Sequence, residues 1–588
     1  MDNRRLFLAF VISIAIILGF NWLMPTPSHQ TLHRQDARST RSTPSADAPR
    51  PVTDLAPPGT QPAPILAPVS EQRLPIEAPR MHGSIDLVGA RLDDLQLTDY
   101  RETLKADSPQ VRVLEPQNQK QPNIVQLGWS AAGDGVKVPD GTTVWTADQP
   151  KLTLATPVTL SWNNGSGLTF RIRLSVDRNF MFTAEQQVQN ATGQPVSLYP
   201  WSRVSRSYTP QVTGGYLVHE GPVAVIGGRL EEMSYSSLKS KSAENGGTGW
   251  SAVQAAGVDG AWAGITDKYW LTAILPDRDH PMTGSYRYDA NAGAGTYQVD
   301  FIAQAPLSVP ANGVLATTSH VFAGAKEVHL LEAYQSQLRA TDFWKAVDFG
   351  WFAFLTKPIF YVLDWLNTAL GNFGLALLAF TLIVKTLFFP LAIKQFRSMA
   401  KMKLLAPKMQ AVRERHKGDP MAMNTEMMSL YRQEGANPAS GCLPMLVQVP
   451  VFWCLYKDLV VTIEMRHAPF FGWIRDLSEP DPTNIFNLFG LLPFDPAVLT
   501  PFLHLGVWPI VLGGTMLLMQ KMNPPPADPA QARLFQVMPL IFMFVLARQP
   551  AGLVIYYCWN NLLTVTQQWL IQRRTRLGGQ RQISTVPR

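Results

Sequence analysis

The chain has 588 residues, a formal net charge of +7 and three cysteines, enough length for several domains. Cys442, Cys454 and Cys558 all lie in apolar runs. They read as small buried hydrophobes, and no disulfide framework is drawn from them. The sequence contains no GxxxxGK[ST] phosphate loop, no HExxH and no metal-spaced Cys/His set. Nucleotide-driven transport, a metal centre and a cofactor are therefore not expected, and the chain does not read as an enzyme.

Residues 1–24 open with Arg4 and Arg5, followed by an apolar run from Leu6 to Met24. That length spans a bilayer, with the arginines held in the cytoplasm. Pro25-Thr26-Pro27 follows instead of a small-x-small cleavage site, so an uncleaved anchor is expected. Residues 25–80 hold twelve prolines among Ser, Thr, Ala and Gln. Such a segment buries too little apolar surface to offset its ordering entropy, which predicts an extended tether.

Residues 81–341 alternate. "TFRIRLSV" sets Phe170, Ile172, Leu174 and Val176 on one face and Arg171 and Arg173 on the other, and "YQVDFIA" repeats this with Tyr297, Val299 and Phe301. Turn residues such as Asn190-Ala191-Thr192-Gly193 punctuate the runs. Period-2 runs between turns predict a large antiparallel β-sandwich. In 342–371, Ile359, Leu363, Leu366 and Leu370 share one helical face. An amphipathic helix in the membrane interface is expected, anchored by Trp351, Tyr361 and Trp365.

Residues 372–573 read as a core of five spans, at 373–393, 442–463, 500–520, 534–548 and 551–572. Arg548-Gln549-Pro550 makes a tight hairpin between the last two. Residues 394–440 carry nine Lys/Arg against four acids, residues 466–498 two against four, and the tail after Gln572 five arginines and no acid. Positive loops stay in the cytoplasm. With the first span, this gives six transmembrane helices, both termini inside, and residues 81–341 and 466–498 outside. The loop 394–440 itself reads as a basic helical hairpin. Met402, Leu405, Met409 and Val412 line its first helix. Gly418 breaks the helix, Asp419 caps the second, Pro420 starts it, and Gly435 ends it. Residues 574–588 form a basic tail.

Lys385 sits inside the first core span, about eight residues from its cytoplasmic end. A lysine at the centre of a membrane helix costs roughly 2.5–3.5 kcal/mol. One reading is snorkelling to the headgroups; the other is a hydrated cavity, with Thr381 one turn earlier extending the polar patch. On the last span Tyr557, Asn561, Thr564 and Gln568 recur at spacings of 4, 3 and 4. They make one stripe of about 16 Å, flanked by Tyr556 and Asn560. Gln448 precedes Pro450 on the second core span. Each polar residue alone fits an interhelical hydrogen bond; the stripe and the lysine together favour a shared water-filled groove.

"ANPASGCLP", "GCLPMLVQVPVFWCLY", "LIVKTLFFPL", "MAKMKLLAPKMQAVRER" and "GLVIYYCWNNLLTVTQQWLI" resemble the YidC family of membrane protein insertases. "GITDKYWLTAILP", Gly264 to Pro276, resembles the periplasmic domain of its Gram-negative members. The resemblance implies a multi-domain membrane protein. Its α-helical core of five helices surrounds a hydrophilic groove closed on the outer side, and its periplasmic domain is an all-β supersandwich like that of sugar-binding enzymes. It places the family's groove charge, usually arginine, on Lys385, its threonine on Thr381, its glutamine on Gln448 and its tyrosine pair on Tyr556 and Tyr557. The long outer loop 466–498 departs from the pattern. The implied function is insertion and chaperoning of inner-membrane proteins, alone or with the secretory translocon. Implied partners are nascent membrane proteins, membrane lipids, and the ribosome through the basic hairpin and tail; DNA is not one. Two other readings are a secondary transporter and a membrane-anchored periplasmic carbohydrate-binding protein. The second would use His219-Glu220, His280, His320, Trp250 and Trp262.

Overall fold

The computed structural model describes residues 72–133, 135–211, 218–258, 260–290, 295–416, 418–434, 443–492, 504–523 and 529–583. The expected anchor, the tether up to residue 71, Gly435 and Cys442 lie outside them. The described residues form two compact units, divided between Asp348 and Phe349 apart from Val461–Ile463.

The first unit is all-β, with an eleven-stranded and a nine-stranded sheet. Strand pairing is antiparallel except where Arg73–Glu77 runs parallel to Leu152–Thr153. The expected alternation is present in Leu168–Val176, where Phe170, Ile172, Leu174 and Val176 are buried and Arg171 and Arg173 face outward. Each such side chain contributes roughly 1.5–3 kcal/mol of burial free energy. The strand Thr296–Ala303 differs: it is buried on both faces. Its Asp300 accepts from Arg203 Nε at 2.5 Å, both side chains being buried. Helix α1, Tyr235–Glu244, lies against the neighbouring strands Thr248–Gln254 and Met282–Asp289. The first strand, Arg73–Glu77, falls within the segment expected to be tether. "RLPIE" buries Leu74 and Ile76 and so behaves as a strand despite Pro75.

Lys326 is wholly buried here, its Nζ donating to Thr266 Oγ1 at 2.9 Å. Burial pulls its ammonium down to about 8, against the opposing pull of Asp348, Asp267, Glu220 and Glu232. Between that value and its ordinary 10.5 the unfolded chain holds a proton that the folded chain lacks, so stability rises with pH. From pH 8 to about 9.5 the unfolding free energy of a 72–348 fragment, read by urea titration, should climb at up to about 1 kcal/mol per pH unit. Lys326→Met should flatten that climb; an equal slope in both proteins counts against the assignment.

Helix α2, Val328–Leu338, and a 3-10 turn at Phe343–Ala346 end the β-unit. The first helix of the helical unit is α3, Ala353–Leu370, which buries Thr356, Ile359, Phe360, Leu363 and Leu366 and leaves Trp365 exposed, as is Trp351 just before it. Leu370, expected on the buried face, is exposed in the last turn. Gly371, at φ +68°, turns the chain into α4, Phe373–Leu387, and Asn372 caps α4 by accepting from Leu375 N at 3.0 Å.

The first core span is not one straight helix. It breaks at Phe388, and α5, Phe389–Arg415, leaves at a 66° bend. Pro390 explains the break, because it lacks an N–H donor and restricts the residue before it. Lys385 therefore stands in the last turn of α4 and not eight residues from its end.

α6, Pro420–Gln433, packs back on α5 through Leu405, Met409, Val412 and Met427. Asp419 caps it as expected, accepting from Met421 N and Ala422 N. Lys408–Glu434, Arg415–Glu426 and His416–Glu426 pairs tie the hairpin antiparallel.

Four more helices follow: α7, Leu443–Val461; α8, Val507–Met522; α9, Pro529–Leu546; and α10, Ala551–Ile583. α8 starts later than expected, α9 starts earlier, and α10 runs ten residues past Arg573 into the expected tail. Among the described residues no single helix is long and apolar enough to cross a membrane; α4 with the first part of α5, bent, passes together.

Candidate functional site: a polar seam along α10

Three helices are sewn to α10 by polar side chains. From α10, Trp559 Nε1 donates to Leu378 O of α4 at 3.2 Å and Gln567 Nε2 to Lys385 O at 3.4 Å. From α7, Gln448 Nε2 donates to Tyr556 OH at 2.6 Å. Toward α8, Asn561 Nδ2 donates to Thr515 Oγ1 at 3.2 Å, and Gln568 Nε2 to Met522 O at 3.1 Å and Asn523 Oδ1 at 3.4 Å. At 3.6 residues per turn, Tyr557, Asn561, Thr564 and Gln568 fall within about 60° of arc. Asn561 lies at one edge of that arc and Thr564 at the other. The stripe thus fills the seam between α8 and α4, and its two edges reach different helices.

Lys385 and Thr564 are brought together. Lys385 is half-buried, and its Nζ donates to Thr564 Oγ1 at 2.9 Å. Thr564 Oγ1 passes its own hydrogen to Asn560 O at 2.7 Å. An ammonium has three N–H donors. Among the described residues Thr564 is the one side chain that takes one, and no carboxylate pairs with the charge. The last carbonyls of α4 favour a cation at this end.

The other expected site residues are placed differently. Thr381 is buried and bonds back to Leu377 O at 2.7 Å, so it makes no bond to Lys385. Tyr556 is buried; Tyr557 is half-buried against the Phe452 ring at 4.9 Å. Asn561 and Gln568 are buried with partners on α8. For these two, the interhelical hydrogen bond weighed above is what the packing provides. Sequence reading missed Thr515, Gln567 and Trp559. Thr515 is one hydroxyl in an apolar run, and the Gly513-Gly514 pair before it, which permits close helix approach, was the available signal.

Away from the α5–α6 hairpin, the outer faces of α4, α8, α9 and α10 are largely apolar. Leu382, Ile383 and Leu387 on α4, Leu517 and Leu518 on α8, Leu540 and Ile541 on α9, and Leu562 on α10 are exposed. A polar interior seam under an apolar surface inverts the usual soluble pattern and suits lipid surroundings.

The segment 464–492 covers the N-terminal ends of α4, α8 and α10. Phe470 packs on Gly374, where any Cβ would meet the ring at 2.0 Å. Ala551 N donates to Glu479 O at 2.7 Å and Gly552 N to Leu477 O at 3.0 Å. Asp481 Oδ2 accepts from Trp508 N, in the first turn of α8, at 2.9 Å. The side of the seam that holds Lys385 is the opposite end of α4.

In the β-unit the histidines are dispersed: His280 pairs with Asp277, His320 with Thr183, and His219 with Pro222 O. Trp262 is a core residue bonded to Thr341 O. No group of three His, Cys, Asp or Glu able to hold a metal occurs among the described residues.

Residues 73–362 match the family described as the YidC periplasmic domain, and residues 365–578 match the 60Kd inner membrane protein family. The membrane protein insertase YidC of Granulibacter bethesdensis is 52% identical over 98% of this chain and 99% of its own. That of Acidiphilium cryptum is 51% identical over 84% of each. A solved structure of an active YidC insertase with its first transmembrane domain aligns with 84% of this chain and 92% of its own, at 18% identity and a TM-score of 0.35. With both halves matched and relatives alike over nearly the whole length, the chain belongs to the YidC family of membrane protein insertases, inner-membrane proteins with a periplasmic domain that insert and chaperone nascent membrane proteins without enzymatic chemistry.

Proposed function

We propose that the seam between α4, α7, α8 and α10 is the path of the polar flank of a nascent membrane protein. The half-buried ammonium of Lys385, bonded at 2.9 Å to Thr564 with N–H donors to spare, carries this reading. An acidic flank is drawn to that charge, more strongly as the local dielectric falls. Thr381, Gln448, Tyr556, Tyr557, Asn561, Thr564 and Gln568 make up the hydrophilic wall. Gln448, Tyr557 and Thr564 are the half-buried members open to a guest, while Asn561 and Gln568 hold α8 against α10. The apolar segment of the substrate leaves between helices into lipid, and its partitioning drives the reaction, so no nucleotide site is needed.

The topology proposed is six spans, residues 1–24 plus five in the core, with both termini in the cytoplasm and the β-domain and the loop 466–498 in the periplasm. Loop charge supports it. The basic α5–α6 hairpin and the arginine tail then face the ribosome, whose RNA attracts cations, and the secretory translocon is a second partner.

Cysteine labelling tests the wall. With Cys442, Cys454 and Cys558 replaced, Thr564→Cys should react with a small polar maleimide in intact membranes at least tenfold faster than Leu562→Cys, which faces lipid. Asn561→Cys, buried against Thr515, should react no faster than Leu562→Cys. Equal rates at 562 and 564 would mean a dry seam and no hydrated path.

A further inference from the structure

The loop that caps the helical unit carries a feature the insertion reading does not use. Between Ile485 and Leu492 it displays Phe486, Leu488, Phe489, Leu491 and Leu492, all exposed, Leu491 to 81%. Residues 482–492 contain no charged side chain. This tip is held by a bonded stem. Asp481 Oδ1 accepts from Trp473 Nε1 at 3.1 Å, Thr483 N at 3.0 Å and Thr483 Oγ1 at 2.7 Å. Asn484 Oδ1 caps the tip through Phe486 N at 3.1 Å, and Ile485 N donates to Leu505 O at 3.0 Å. Leu488 and Phe489 are both held in the left-handed region, at φ +52° and +59°, which bulky residues seldom occupy. The fold thus turns consecutive large apolar side chains outward.

We infer that this tip is a membrane wedge, seated in the acyl region of the phospholipid leaflet nearest the N-terminal ends of α4, α8 and α10. Continuity argues for lipid. The stem is bonded to Leu505, two residues before α8 begins, and Ile510 and Val511 in the first turns of α8 are exposed apolar residues. Phe471 and Trp473 are exposed at the base, the Trp473 indole N–H already satisfied by Asp481; aromatic rings of this kind settle at headgroup depth. A protein-binding patch carries a polar rim, whereas Asn487 is the sole polar side chain from Ile485 to Leu492. The wedge would fix the height of the cap over the seam. The inference rests on the chain's being an inner-membrane protein and not on the route of the substrate, so its failure leaves the seam reading intact.

Nitroxide depth measurement tests it in the full chain. The cysteine-substituted protein is reconstituted in phosphatidylethanolamine–phosphatidylglycerol vesicles, with labels at Leu491→Cys, Leu488→Cys and, as an exposed control on the same loop, Arg475→Cys. At 491 and 488 the label should collide with oxygen severalfold more often than with a water-soluble nickel chelate, and at 475 the order should reverse. Adding Phe489→Asp should shift the 491 label toward nickel, while a label at lipid-facing Leu562→Cys stays unchanged. Nickel-dominated collision at 491 and 488 overturns the inference. So does shielding from both reagents: with spin–spin broadening that unlabelled protein dilutes away, the tip covers a second copy, and without it another part of this chain.

Discussion

Lys385→Glu should abolish insertion of substrates whose translocated flanks are rich in Asp and Glu, while Lys385→Arg should insert them at least as well as the parent. The charge of Lys385 lies in the last turn of α4, bonded to Thr564 and unopposed by a carboxylate among the described residues. An acidic side chain arriving within about 4 Å gains roughly 4 kcal/mol of attraction at an effective dielectric of 20, and reversing the charge turns that gain into repulsion. Arginine keeps the charge and adds a forked donor set suited to carboxylates. Lys385→Ser keeps the seam polar but removes the attraction, so it should be intermediate. The defect should follow the substrate, severe for acidic flanks and slight for neutral ones. Changing the flank acids to lysine should restore Lys385→Glu. Protease protection of a small inner-membrane substrate, in cells depleted of the parent insertase, reads all of these. If every variant inserts acidic and neutral substrates alike, Lys385 is a snorkelling residue and the electrostatic part of the mechanism is wrong.

The position of Lys385 shows what a linear reading can and cannot supply. Its charge, its helix and the stripe opposite it follow from composition and spacing. Its depth does not, because Pro390 bends the chain at Phe388 and ends α4 early. The β-unit was legible wherever one face of a strand meets solvent, as in Leu168–Val176. It was illegible in Thr296–Ala303, where Asp300 looks like a solvent residue but is buried against Arg203. The stripe on α10 was visible as a stripe. Which neighbour each member meets was not, because Asn561 and Thr564 are separated by about 60° of arc and only tertiary packing decides that one faces Thr515 and the other Lys385. Thr381 shows the same limit: a hydroxyl one turn from Lys385 looks like part of a polar patch, yet it is spent on its own helix at Leu377 O.

The sequence predicts a long outer loop at 466–498, but the residue that organises it carries no sequence signal. Asp481 is buried, and its two oxygens accept from Trp473, Thr483 and, across the fold, Trp508 N at the start of α8. A carboxylate at a helix N-terminus is further favoured by the helix dipole. Bonds to a charged group are worth about 1.5–3 kcal/mol each, and a donor left buried without its acceptor costs about as much again. Asp481→Ala should therefore loosen the cap by about 3–5 kcal/mol, since several such donors lose one acceptor together. Asp481→Asn should fall between, because its amide can replace one oxygen but presents N–H groups to the other donors. Two readouts follow. In vesicles with the loop side accessible, trypsin should cut after the exposed Arg475 faster in Asp481→Ala than in the parent. A membrane-impermeant maleimide added on that same side should reach Thr564→Cys only when the cap is loosened, since in the parent Phe470, Leu477 and Glu479 close the N-terminal ends of α4 and α10. Faster trypsin cutting without any gain in labelling at 564 would show that the seam is sealed by the helices themselves, and that the cap serves the fold and not the barrier.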